Sequence, residues 1–161
     1  MDLFKKIKQN KKTFIIAEIS ANHKQKFANV IRLINHAVLA KVDAIKIQTY
    51  TPDTITLKTN KKDFRILDKK NNLYKKNLYD VFSEAYTPWK WQKKVFDYAK
   101  RKGLICFSSV FDESSVDFLS NIGVKAYKIS SFEITHHPLL KKVAKQKTIV
   151  FLSTAMASIK E

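Results

Sequence analysis

Two lysines placed inside apolar, β-branched runs are the first residues to ask about chemistry. Lys46 lies in DAIKIQ (43–48) and Lys128 in KAYKIS (125–130). An ammonium group directed inward from an Ile-rich strand is costly unless an anion meets it. Strand side chains alternate, so Ala44, Lys46 and Gln48 share one face while Ile45 and Ile47 share the other. The same parity groups Phe14, Ile16 and Glu18, and also Ala126, Lys128 and Ser130, after which come Ser131 and Glu133. Ser108 and Ser109 close another run, and Ser153 and Thr154 close the last. Two inward lysines, two glutamates and a ring of hydroxyls suit a small dianion such as a phosphate ester. Lysine serves there as a point charge and the hydroxyls as directed donors. The competing reading pairs the lysines with Glu18 and Glu133 as structural ion pairs. It makes Glu18 a solvated strand end and Ser153 a helix N-cap. Both readings stay open at the level of these residues alone.

The other chemistry-bearing residues say less. His23 follows the first strand, where it could line a pocket on the rim. His36 falls on a helix, and His136 and His137 precede Pro138 at a helix start. No pair has the spacing of a metal-binding motif such as HExxH, so no metal ligand is assigned in the chain. Cys106, the single cysteine, sits between Ile105 and Phe107 and reads as a core filler. One cysteine allows no internal disulfide and agrees with a reducing, cytoplasmic setting. The basic N-terminus, MDLFKKIKQNKK, lacks the apolar stretch and cleavage site of a signal peptide. No apolar run reaches the 18 or so residues of a membrane span. The net charge is +17, but all of the 31 basic residues except Arg32, Arg65 and Arg101 are lysines. They are scattered rather than gathered with aromatics, so nucleic acid is not an expected partner.

The elements that must hold these residues alternate between two periods. Phe14–Glu18 reads as a strand, followed by Phe27, Val30, Ile31, Ile34, Ala37 and Val38 at helical spacing. Asp43–Gln48 is a second strand. Residues 51–86 are polar, lysine-rich and irregular, and predict a long loop insertion extending to Thr87. Thr87-Pro88 supplies an N-cap and a first-turn proline, with Val95, Phe96 and Ala99 on one face of the helix that follows. Gly103 ends that helix, and Leu104–Ser109 is a third strand. A helix over 113–121 stopping at Gly123, a strand over 125–129, a helix over 138–145 and a strand over 148–153 complete the chain. Five strands separated by four helices predict an α/β fold with a parallel sheet. A (β/α)8 TIM barrel takes roughly 250 residues, so the expectation is a partial barrel in which polar strand ends form the active rim. Only two glycines occur, which leaves no phosphate loop for a doubly wound sheet.

The segments FIIAEISANH (14–23), DAIKIQTYTPDTI (43–55), LYDVFSEAYTPWKW (78–91), FSSVFD (107–112), AYKISSFEI (126–134) and FLSTAMAS (151–158) resemble successive signatures of the N-acetylneuraminate synthase family. LYDVFSEAYTPWKW is closest to its pseudaminic acid branch. The resemblance implies condensation of phosphoenolpyruvate with an N-acetylated amino sugar to give a nine-carbon 2-keto acid and phosphate. For the pseudaminic branch the sugar is a 2,4-diacetamido-2,4,6-trideoxyhexose; N-acetylneuraminate and legionaminate synthases are the alternatives within the family. Carried over by motif, Lys46 and Lys128 hold the phosphoenolpyruvate charges. Gln48, Ser109, Ser131 and Ser153 bond its phosphate and carboxylate, and Glu18 and Glu133 orient the sugar and assist proton transfer. A divalent metal, Mn or Mg, is implied, with its histidine ligands on later strands that this chain does not include. An antifreeze-like domain beyond the barrel is likewise expected to be absent. Partners follow as phosphoenolpyruvate, the amino sugar, and either a homodimer mate or the other barrel half. The chain is therefore expected to be inactive alone, or else a non-catalytic, phosphate-ester-binding remnant, and to self-associate through uncovered strand edges. Lys41, Val110 and Ala155 stand where the family tends to have glycine, proline and glycine. Lys41 is expected to end the first helix in the left-handed region, at a cost of about 1 kcal/mol.

Overall fold

The computed structural model describes residues 7–8 and 12–160; the basic N-terminal stretch judged unlike a leader lies largely outside them. Five strands, β1 (Ile16–Glu18), β2 (Ala44–Thr49), β3 (Ile105–Val110), β4 (Ala126–Ile129) and β5 (Ile149–Leu152), form one sheet. Every pairing is parallel and the spatial order is the chain order. Parallel neighbours need crossovers, and the helices between the strands supply them. α1 (Phe27–Leu39) links β1 to β2. α2 (Pro52–Ile55), α3 (Leu78–Ala85) and α4 (Trp89–Arg101) lie between β2 and β3, α5 (Glu113–Asn121) follows β3, and α6 (His137–Ala144) follows β4.

The alternation expected of β2 decides the layers. Ile45 and Ile47 bury against Val30, Ile34 and Ala37 of α1 and Val95 and Ala99 of α4. Tyr127 and Ile129 do the same against Val116 and Leu119 of α5 and Leu139 and Val143 of α6. Each such side chain removed from water contributes about 1.5–3 kcal/mol, enough to fix the rotation of the helices. On the opposite face Ala44, Phe107 and Ala126 gather Phe14, Ile105, Ile149 and Phe151, with Phe107 and Phe151 stacked at 4.8 Å. Cys106 packs at the helix-side core as expected, and burial pushes its thiol pKa up.

Three helices end in one device. After α4 and α5, Gly103 and Gly123 take φ of 76°. The Gly103 and Leu104 N–H groups close onto Lys100 and Ala99, and those of Gly123 and Val124 onto Ser120 and Leu119. α1 ends the same way, with Lys41 N–H on Val38 O at 3.0 Å and Val42 N–H on Ala37 O at 3.3 Å. Its left-handed position is held by Lys41 at φ 56°, as the sequence predicts. This is the Schellman arrangement, in which glycine is the unstrained occupant.

Two expectations need correction. The 51–86 stretch is not an irregular loop: it contains α2, a 3-10 turn (Lys62–Phe64) and α3, which Asn77 caps by accepting the Tyr79 N–H at 2.8 Å. Tyr50 seats this excursion against the strand ends, edge-on to Phe82 and Phe111, while Trp89 donates to the Tyr50 carbonyl. Thr87 does not cap α4 either. Pro88 occupies the cap position with φ −52°, and the Thr87 hydroxyl is committed elsewhere. Among the described residues no helix is long and apolar enough to cross a membrane.

Candidate functional site

Parallel register brings the strand-end residues side by side. Glu18 pairs with Lys46 across β1 and β2, Gln48 with Ser109 across β2 and β3, and Ser109 with Lys128 across β3 and β4. All five lie on the sheet face that carries Phe107 and Phe151. Lys46 Nζ forms an ion pair with Glu18 and lies 3.2 Å from Ser109 Oγ. Glu18 also accepts the Ser20 hydroxyl. Lys128 Nζ donates to the Ile129 carbonyl at 3.1 Å. The two ammonium groups thus stand on one face with a hydroxyl between them in register.

Burial dominates the electrostatics of this rim. Burial, and then the field of Lys46, lower the pKa of Lys128, while Glu133 and Glu18 pull it back up. Burial raises the pKa of Glu133, although its own backbone, Lys128 and His136 oppose the shift. Its Oε2 is buried without a hydrogen-bond partner. A buried acceptor with no donor costs free energy until a ligand or water supplies one. Ser131 opens the 3-10 turn (Ser131–Glu133) that carries Glu133 past the end of β4. Ser153 extends the β4–β5 ladder by donating its N–H to Ile129 O at 3.0 Å, and its side chain caps no helix among the described residues. The structure therefore ties Glu18, Lys46 and Ser109 together by direct contact. It places Gln48, Lys128 and Glu133 beside them, and leaves Ser131 and Ser153 on the same rim with no side-chain bond to the lysines.

Ser108, expected at the rim, and His23, which could have lined it, both belong behind the sheet. His23 does not line the pocket: it is fully buried, edge-on to Trp91 at 5.8 Å. Ser108 also faces the helix layer, with its Oγ 2.7 Å from Thr49 Oγ1 and 3.2 Å from the Ile47 carbonyl. From there a chain of buried polar groups runs on. Thr49 donates to Gln92 Oε1 at 2.7 Å, Gln92 Nε2 donates to the Thr87 carbonyl at 3.2 Å, and Thr87 Oγ1 lies 3.2 Å from His23 Nε2. The Gln25 N–H donates to His23 Nδ1 at 3.1 Å, which puts the neutral imidazole's proton on Nε2. Burial lowers the His23 pKa and favours that neutral form. Sequence reading missed Thr49, Gln92 and Ser20. A signal existed for Gln92, a polar residue on the same helical stripe as Val95 and Ala99.

Among the described residues, no three His, Cys, Asp or Glu side chains gather closely enough to hold a metal ion. By themselves, the described residues do not fit the divalent metal implied by the resemblance.

Comparison with known proteins places this geometry. The model of the NeuB family matches residues 33–161. A pseudaminic acid synthase of Campylobacter jejuni is 42% identical over 153 residues, covering 94% of this chain and 44% of that protein. The pseudaminic acid synthase of Helicobacter pylori is 36% identical over 146 residues. The chain thus spans less than half the length of these relatives. Among solved structures, an N-acetylneuraminic acid synthetase from Leptospira borgpetersenii superposes with a TM-score of 0.75 at 28% identity, over 91% of this chain and 46% of that one. The spore coat polysaccharide biosynthesis protein SpsE from Bacillus subtilis gives 0.70 at 34% identity, over 91% and 37%. The five parallel strands and their helices correspond to part of a TIM-type barrel, as the alternation of elements predicts. With 129 of its residues under the family model and pseudaminic acid synthases among its relatives, the chain belongs to the NeuB family.

Proposed function

We propose that the chain supplies the phosphoenolpyruvate-binding part of a pseudaminic acid synthase barrel. The complete barrel condenses phosphoenolpyruvate with a 2,4-diacetamido-2,4,6-trideoxyhexose, consuming one water, to give a nine-carbon 2-keto acid and phosphate. The observation that carries this reading is the row of Glu18, Lys46, Ser109 and Lys128 on the inner sheet face. Two cations stand side by side with the Ser109 hydroxyl between them in register, and phosphoenolpyruvate brings both a phosphate and a carboxylate to such a face. Identity favours the pseudaminic branch over the legionaminate branch, with 42% against 33% for relatives of each kind from one Campylobacter strain.

In this reading Lys46 and Lys128 offset the enolpyruvate's charge while its C2=C3 electron pair forms the bond from C3 to the sugar's aldehyde carbon. Water then adds to the electron-deficient C2, and phosphate leaves as the C2–O bond breaks to give the 2-keto group. Gln48, Ser109, Ser131 and Ser153 orient the phosphate and carboxylate by donating hydrogen bonds. Glu133, whose carboxyl keeps its proton to a higher pH than usual, can give that proton to the aldehyde oxygen as the bond forms. Glu18, held by Lys46 and Ser20, is placed to take hydrogen bonds from the sugar.

Titration calorimetry of the 161-residue chain with phosphoenolpyruvate tests the binding step. Saturable binding that is lost in Lys46→Met, with the fold intact by circular dichroism, is the expected result. Equal binding by wild type and Lys46→Met would sink the assignment. A substrate panel on the complete barrel separates the pseudaminic reading from the neuraminate and legionaminate ones.

A further inference from the structure

The turn that follows β1 is strained. Ser20, Lys24 and Gln25 hold φ of 34°, 48° and 53°, and none of them is glycine. Left-handed non-glycine residues cost free energy and persist where their surroundings over-determine them. His23 is what over-determines this turn. Its Nδ1 accepts the N–H of strained Gln25, and its Nε2 donates to Thr87 Oγ1. Its carbonyl takes the Lys26 N–H and Asn29 Nδ2, each at 3.0 Å. At the front of the same turn Ser20 donates to Glu18, which pairs with Lys46. At the back, Thr87 leads through Gln92 and Thr49 to Ser108, and Thr49 and Ser108 are the chain neighbours of Gln48 and Ser109.

We propose that His23 is a positioning residue: its two ring nitrogens, bonded at once to the Gln25 N–H and the Thr87 hydroxyl, hold the Ser20–His23 turn so that Ser20 fixes Glu18 against Lys46. The proposal rests on the reading of Glu18 and Lys46 as part of the anion site. The arrangement requires one protonation state. A second proton on Nδ1 would face the Gln25 N–H, so only the neutral ring with its proton on Nε2 satisfies both partners. Burial of the ring favours that state. A residue that merely filled space would be replaceable by phenylalanine, and these directed bonds are what phenylalanine lacks.

The test needs no catalysis. In 15N-labelled protein, the imidazole nitrogens report the tautomer and the Lys46 ammonium signal at low temperature reports its contact with Glu18. The expected tautomer carries the proton on Nε2. His23→Phe removes both ring-nitrogen bonds. When folded by circular dichroism, it is expected to displace the Lys46 ammonium signal and to weaken phosphoenolpyruvate binding about tenfold through the loosened Glu18–Lys46 contact. His23→Gln, whose amide reaches Thr87, is expected to recover most of both. Thr87→Val keeps the histidine, removes its acceptor, and is expected to move the Lys46 signal in the same direction. A proton on Nδ1, or an unmoved Lys46 signal in His23→Phe, overturns the proposal. If His23→Phe does not fold, an unmoved Lys46 signal in Thr87→Val overturns it. Wild type that binds no phosphoenolpyruvate overturns the functional reading alone, and the Lys46 signal still decides the positioning role.

Discussion

The buried chain Ser108–Thr49–Gln92–Thr87 makes a quantitative prediction about stability. Gln92 is fully buried, with its carbonyl oxygen on the Thr49 hydroxyl and its amide on the Thr87 carbonyl. Gln92→Leu keeps much of the volume but removes both bonds. The Thr87 carbonyl is then left without that donor, at about 1–3 kcal/mol, and Thr49 loses a bond worth about 1 kcal/mol. The added apolar burial offsets about 1 kcal/mol, leaving a net loss of about 1–3 kcal/mol. At roughly 2–4 °C per kcal/mol for a chain of this size, the Tm should fall by about 2–12 °C. Thr49→Val alone orphans the Gln92 carbonyl oxygen and should cost about 1–3 kcal/mol. In the double variant that orphan no longer exists, so the combined loss should fall short of the sum by about 1–2 kcal/mol. Urea unfolding of the four proteins at equal m-value measures this coupling directly. Additive losses, within about 0.5 kcal/mol, would refute the claim that these two side chains satisfy each other.

Three further outcomes follow from particular residues. Lys41→Gly should stabilise the chain by about 0.5–1 kcal/mol, because relief of the left-handed strain exceeds the extra chain entropy of glycine; urea midpoints will show it. His23 has a lowered folded pKa, so its contribution to stability is complete above its unfolded value of about 6.5 and is lost as pH falls through the lower folded value. The urea midpoint of wild type should therefore drop more between pH 7.5 and 5 than that of His23→Gln, a difference that cancels the opposing effect of Glu133. The Cys106 thiol, partly buried and with its pKa raised, should react with a disulfide reagent at pH 8 well below the rate of a free thiol. Labelling at the rate of a free thiol would contradict that.

The order of short-range patterns determined a good deal by itself. Two periodicities alternating along the chain imposed a parallel sheet with helices on one face, and strand parity alone put Lys46 and Gln48 opposite Ile45 and Ile47. The helix over 113–121 and the left-handed Lys41 were also legible, since each depends on neighbours within a few residues. The short helices of 52–55 and 78–85 were not. With about 3.6 residues per turn they complete too few turns to show a clear period, and the second is held by Phe82 packing edge-on to Tyr50. Only the tertiary structure decided the polar residues at strand ends. Ser108 and Ser109 look alike in sequence. The register that sets Ile47 beside Ser108 and Gln48 beside Ser109 turns the first toward the helices and the second toward Lys46. His23, Thr49, Thr87 and Gln92 meet across separations of up to 64 residues, and their meeting depends on how α4 is rotated on the sheet. Local sequence sets which face a side chain takes on its own element. What stands across from that face is set by the docking of elements far apart in the chain.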